Sequence, residues 1–140
     1  MPARMLGTAE PWSLLPLRIA LGGIFIVHGS QKLLVFGFGG VARYLAHLGG
    51  FHPVMFWAVV LTLVELLGGM AILVGFMTRW AALLIAVEMV IAIDRVVWRT
   101  GFFVPPIGME FNLALIGACL TLLAAGAKKP SVDRGLSKES

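Results

Sequence analysis

The sequence predicts an all-α integral membrane protein: a bundle of four transmembrane helices, with a short interfacial amphipathic helix after the first span. Three observations predict it. The 140-residue chain is 59% hydrophobic and only 13% charged, about half the ~25% charge of a soluble domain. Its mean hydropathy is +0.96. Its apolar residues gather into four runs, at about 14–34, 54–74, 80–97 and 110–125, and a helix of ~20 residues crosses ~30 Å of hydrocarbon. The length suits one domain over 1–140.

The elements follow in order. Met1 to Glu10 is a polar lead, and Trp12 and Ser13 offer an interfacial ring and an N-cap before the first span. The glycines of Phe36-Gly37-Phe38-Gly39-Gly40 should end that span. Between Val41 and Gly50 the apolar Val41, Tyr44, Leu45 and Leu48 recur at helical spacing, with Arg43 and His47 on the other face. That pattern predicts an amphipathic helix lying in the interface. Pro53 suits the first turn of the second span. The turn Gly75-Phe76-Met77-Thr78-Arg79 is too short to separate spans two and three, so they should be antiparallel neighbours. Trp98 and Arg99 mark the interface again, and Pro105-Pro106 stiffens an apolar loop. After the fourth span Lys128-Lys129-Pro130 stops the helix, and a polar tail occupies 127–140.

The net charge of +4 and isoelectric point near 9.9 do not point to nucleic acid. The excess basic residues fringe an apolar body: Arg4, Arg43, Arg99, Lys128, Lys129, Arg134 and Lys138 against Glu10, Asp133 and Glu139. A lipid bilayer is the partner that such a fringe fits. Four spans bring both termini to one side, and the basic tail with Arg4 and Arg79 favours the cytoplasm for that side. The single cysteine, Cys119, excludes an intrachain disulfide or a Cys-x-x-Cys redox pair. The first apolar run has no small-residue cleavage site and is too long for a signal peptide, so it is expected to stay as a span.

The charges inside the apolar runs carry the functional argument. An ionisable side chain in the bilayer centre costs ~2.5–3.5 kcal/mol on insertion scales, so it turns inward and finds a partner. On the first span Arg18, His28 and Lys32 fall within an arc of about 80°. On the second, Glu65 shares its face with Gly68 and Gly69. On the third, Glu88 aligns with Ala81, Ala92 and Arg95; on the fourth, Glu110 aligns with Ala114, Gly117 and Thr121. Small residues let helices approach, so these four faces are expected to meet in the core.

Two readings of that core stay open. Arg18 and Lys32 neutralise Glu65 and Glu88 in a purely structural network, or Arg18, His28, Lys32, Glu65, Glu88 and Glu110 line a pocket for a small molecule or a proton. Haem would need a second inward histidine, and His47 and His52 belong to loops. No His, Cys or carboxylate spacing is diagnostic of a metal. The scattered Met55, Met70, Met77, Met89 and Met109 suit packing better than copper transfer. A lone inward histidine suits a hydrogen bond to a quinone-like carbonyl or a carboxylate.

The segments Leu17-Arg18-Ile19-Ala20-Leu21-Gly22, His28-Gly29-Ser30-Gln31-Lys32-Leu33, Glu65-Leu66-Leu67-Gly68-Gly69 and Leu73-Val74-Gly75-Phe76-Met77-Thr78-Arg79 resemble the signature of the DoxX family. The similarity continues through Gly108-Met109-Glu110-Phe111-Asn112-Leu113 to Ser131-Val132-Asp133-Arg134. The resemblance implies a four-helix protein of the bacterial inner membrane. The family takes its name from a membrane component of a thiosulfate:quinone oxidoreductase, and many of its members have no assigned activity. The polar set that matches the family is Arg18, His28, Lys32, Glu65, Arg79 and Glu110, whereas Glu88 and Asp94 are additions.

The expected function is therefore a redox-associated membrane subunit with a charged intramembrane pocket. It has no intrinsic cofactor, a quinone as the ligand, and other membrane redox proteins or further copies of itself as partners. In that reading His28 donates a hydrogen bond or carries a proton, Glu65 accepts it, and Arg18 or Lys32 clamps an anion. A structural or assembly subunit of a larger respiratory or photosynthetic complex is the alternative, and a permeation path would need several copies.

Overall fold

The computed structural model describes residues 12–98, 101–103 and 108–136. The expectations for the polar lead, for Arg99, for Pro105-Pro106 and for the last four residues of the tail lie outside them. All regular structure in the described residues is helical: α1 (Leu15–Gln31), α2 (Gly37–Leu48), α3 (Val54–Val74), α4 (Thr78–Ala92), α5 (Met109–Ala125) and a short α6 (Val132–Leu136). Two π-helical turns interrupt them, at Lys32–Phe36 and Ile93–Val97.

Two helical stretches are long and apolar enough to cross a membrane, Leu15–Leu48 with 34 residues and Val54–Val74 with 21. Met109–Ala125 is a shorter apolar helix. The first stretch corrects the expected break at the glycines, because the chain passes from α1 through the π-helical turn straight into α2. Glycines weaken a helix without forbidding it; what they allow here is a change of direction. Gly37 has φ 62° and ψ 165°, a combination open essentially to glycine alone. The amphipathic helix therefore begins at Gly37, earlier than the spacing predicts. It buries Val41, Ala42 and Leu45 while Arg43, Tyr44 and His47 are exposed. Ser13 does not cap α1, whose N-cap position is Leu14 without a side-chain bond.

The principal helix pair is α1 on α3, and α4 packs on α5; α3 also touches α2 and α4, while α1 and α5 barely meet. Glycine sets the α1–α3 distance. A Cβ on Gly29 would lie 2.5 Å from the Leu66 backbone nitrogen, and one on Gly69 2.8 Å from that of Ile26. Backbone therefore lies on backbone, the close approach that small residues permit in membrane helices. Gly29→Leu is expected to push the two helices apart and destabilise the protein by about 1–3 kcal/mol, the usual overpacking penalty. Thermal unfolding in detergent measures it, and an unchanged midpoint would mean that the contact is looser than the geometry states.

Leu21, Phe25, Ile72, Ala82, Ile85, Cys119 and Leu122 fill the main core between these helices, and a second cluster of Val41, Ala42, Leu45, Phe51 and Ala58 seats α2 against α3. At the C-terminal end of α3, Gly75 adopts the left-handed conformation, φ 75°. Its N–H and that of Phe76 turn back to the carbonyl of Ala71, which ends the helix and reverses the chain. The tail folds back onto this turn: the Asp133 carboxylate accepts hydrogen bonds from the N–H groups of Met77 and Thr78, at 2.6 and 3.0 Å.

Candidate functional site

The helix order leaves a lateral gap between α1 and α5, and the charged residues gather behind it. Lys32 stands where α1 gives way to the π-helical turn, Glu65 at the middle of α3, and Glu88 on the inner face of α4. Lys32 Nζ lies 2.8 Å from Glu65 Oε2 and 3.6 Å from Glu88 Oε1. Both carboxylates are buried, with side chains 5% and 6% exposed, whereas Lys32 keeps 27%. Glu88 Oε2 has no hydrogen-bond partner among the described residues. One lysine thus ties three helices together through two buried acids. π-helical turns recur at functional sites because the inserted residue re-aims its neighbours, and this one begins at Lys32 itself.

The three charges lie between two cavities. One, of about 430 Å³, opens along the α1–α5 gap; Ile24, Phe25, Met89, Phe111 and Leu115 form apolar walls, and His28, Lys32, Tyr44, Glu65 and Asn112 supply polar groups. The other, of about 110 Å³, lies beneath α2 and reaches from Lys32, Glu65 and Glu88 to Arg95. Arg95 also pairs with its neighbour Asp94 at 2.9 Å, both well exposed.

His28 lies one turn before Lys32 in the wall of the larger cavity. Its Nδ1 is 2.8 Å from the Ile24 carbonyl of its own helix. A carbonyl only accepts, so Nδ1 carries the proton. In the neutral ring Nε2 is then an acceptor.

Two expected members of the group lie elsewhere. Arg18 is buried, 1% exposed, but it sits near the start of α1, away from Lys32, and meets neither Glu65 nor Glu88. Its guanidinium donates to the carbonyls of Ile72, Leu73, Ala127 and Pro130, at 2.5–3.2 Å. The shared helical arc was correct in angle and silent on height: fourteen residues at 1.5 Å separate Arg18 from Lys32 by about 21 Å along the axis. Glu110 is exposed on the first turn of α5, where the helix dipole favours an acid. Ala114, Gly117 and Thr121 are exposed with it. The small-residue face of α5 therefore looks outward, and Asn112, Leu115, Cys119 and Leu122 are the buried ones.

Tyr44 is a cavity residue that the pattern counts among apolar neighbours, and Asn112 is one that enters the sequence reading only through the family-like segment around Glu110. A polar residue between Phe111 and Leu113, on the first turn of a largely apolar α5, is the signal that marks Asn112; Tyr44 carries none. Among the described residues no cluster of three or more His, Cys, Asp or Glu side chains is placed to hold a metal ion.

The polar cluster and its helical frame define a membrane protein with charges assembled inside its apolar body. The DoxX family model matches residues 13–104, and the chain belongs to that family. It is 35% identical over 133 residues to the inner membrane protein YphA of Escherichia coli, covering 91% of this chain and 93% of that one. It is 29% identical over 117 residues to "Putative oxidoreductase CatD" of Bacillus subtilis, covering 84% and 81%. An uncharacterised membrane protein of Mycobacterium tuberculosis is 28% identical over 147 residues, covering 98% and 89%. No solved structure matches the chain significantly. Every residue of the Lys32 cluster and its surroundings in α1–α4 falls inside the family match, while Asn112 and Glu110 of α5 lie beyond it.

Proposed function

We propose that the chain is a four-span subunit of a redox system in the bacterial inner membrane, holding a quinone or a similar small amphiphile in the cavity between α1 and α5. The observation that carries this is the cavity itself: apolar walls ending on His28, Lys32, Glu65 and Asn112. Ligand pockets commonly run from about 300 to 1,000 Å³ with a few convergent polar groups. A flat ring with a carbonyl at its edge fits these donors, since Lys32 Nζ and the Asn112 amide can donate to that oxygen. Neutral His28 presents Nε2 to the reduced form, whose hydroxyl it accepts. The name of the Bacillus relative supports the redox class. The chain's own residues include a single cysteine, so electrons come from a partner protein.

The spans are α1, α3, α4 with its π-helical turn, and α5. Residues 78–97 rise about 30 Å and α5 about 26 Å. Arg79, Lys128, Lys129 and Arg134 gather at one end of the bundle, and the positive-inside rule turns that end to the cytoplasm. Amphipathic α2 lies at the opposite interface.

Extraction of the protein in mild detergent, followed by titration with a short-chain quinone, tests the proposal. Saturable binding is expected, weakened about tenfold or more in His28→Ala and in Glu65→Gln, since each good polar contact is worth about 1.4 kcal/mol or more when a charged group takes part. Absence of saturable binding, or affinity unchanged in both variants, eliminates the pocket. A second reading, a structural or assembly subunit without a ligand, draws on the same Lys32 cluster, which joins α1, α3 and α4. Full turnover of the parent complex with both variants installed would favour it.

A further inference from the structure

At the other end of the bundle, where α3 turns into α4, two concavities adjoin. A groove of about 670 Å³ runs between the outer faces of α3 and α4, with Leu67, Val74, Trp80 and Leu84 as walls and Gly68 and Ala81 as the small residues that widen it. Around the turn it meets a basin of about 490 Å³ containing Arg79, Lys128 and Arg134. Met77 and Trp80 belong to both. The one acid of the basin among the described residues, Asp133, accepts hydrogen bonds from the backbone N–H groups of Met77 and Thr78 with its two oxygens. It offsets only one of the charges of Arg79 and Lys128. Trp80 is 63% exposed at the junction, the amphipathic ring typical of headgroup depth.

We infer that this composite is a binding site for one anionic phospholipid of the bilayer, an acyl chain in the groove and the phosphate in the basin. The polarity changes from apolar to cationic across Trp80, as it does along a lipid from chain to headgroup. A second copy of the chain fits worse, because a two-fold contact would set the same cations against themselves. A neutral headgroup leaves the excess positive charge uncompensated. Each basic residue near a lipid surface contributes about 1 kcal/mol, or roughly fivefold in affinity.

The test uses the purified full-length chain in a neutral detergent. It is titrated with phosphatidylglycerol carrying brominated acyl chains, and the reporter is the quenching of Trp80, isolated by subtracting Trp80→Phe from a chain with four tryptophans. Phosphatidylglycerol is expected to quench at about fivefold lower concentration than phosphatidylcholine with the same chains, for the one net charge that Arg79 and Lys128 leave over Asp133. Arg79→Gln and Lys128→Gln should each weaken it about fivefold, and Arg43→Gln, on exposed α2, should not. Inorganic phosphate should fail to compete, since it brings nothing to the groove. Equal quenching by the two lipids, a preference that survives the Arg79→Gln/Lys128→Gln double variant, or displacement by millimolar phosphate would each overturn the proposal.

Discussion

Lys32→Met is expected to destabilise the protein by about 3–5 kcal/mol, the usual consequence of stripping the partner from a buried ion pair. The change removes the one cation within ion-pair distance of Glu65 and Glu88 among the described residues. It leaves two carboxylates, one on α3 and one on α4, without a cation in a medium that solvates neither. The loss comes from the stranded acids rather than from the pair's own strength, and this separates it from ordinary loss of packing. Neutralising both acids in the Lys32→Met/Glu65→Gln/Glu88→Gln variant should therefore recover most of the stability. Lys32→Arg should keep more of it than Lys32→Met, since a guanidinium still supplies the charge. Unfolding midpoints of the four proteins in one detergent decide the matter. A triple variant no more stable than Lys32→Met would show that the carboxylates were never the problem. The triple variant also separates the two functional readings, because a structural cluster predicts a folded and competent protein, and a ligand pocket predicts a folded protein that no longer binds quinone.

Helical angle was legible in the sequence and helical height was not. Glycines and charges spaced at 3.6 residues correctly turned Lys32, Glu65 and Glu88 inward, because an ion in an apolar run has nowhere else to go. The same rule turned Arg18 inward, and it is buried. Periodicity carries no information about which inward residues of different helices share a level, so Arg18 was grouped with acids that lie at another depth. Glu110 failed for a different reason. It begins α5, and a residue on a first turn is satisfied by the helix dipole and by the interface without any partner. An aligned row of Ala114, Gly117 and Thr121 then looks like a packing face although all three are exposed. The continuous run from α1 into α2 was hidden because three glycines in five residues read as a stop, whereas only Gly37 among them takes a backbone conformation that a helix cannot.

Arg18→Met is expected to be as damaging as the loss of Lys32, by a route that involves no acid. Helices α3 and α5 both end beside Arg18, and the final carbonyls of a helix have no intrahelical donor. The guanidinium fills that need for Ile72 and Leu73 at the end of α3 and for Ala127 and Pro130 beyond α5. Its charge lies at the negative ends of two helix dipoles. This explains how an arginine that is 1% exposed stands with no carboxylate within ion-pair distance among the described residues. Each buried acceptor left unpaired costs about 1–3 kcal/mol, so a total of about 4 kcal/mol is expected after relaxation. Lysine should rescue little, since a single ammonium cannot span carbonyls on two separate segments as the planar fork does. Asp133→Ala, which removes the two bonds to Met77 and Thr78, should cost about 1–2 kcal/mol, the range of a lost helix cap. The tail is held from both sides by these two residues. Trypsin should therefore cleave after Lys128 fastest in Arg18→Met, more slowly in Asp133→Ala and slowest in the parent chain. Equal cleavage rates in all three would mean that the tail is anchored by something other than Arg18.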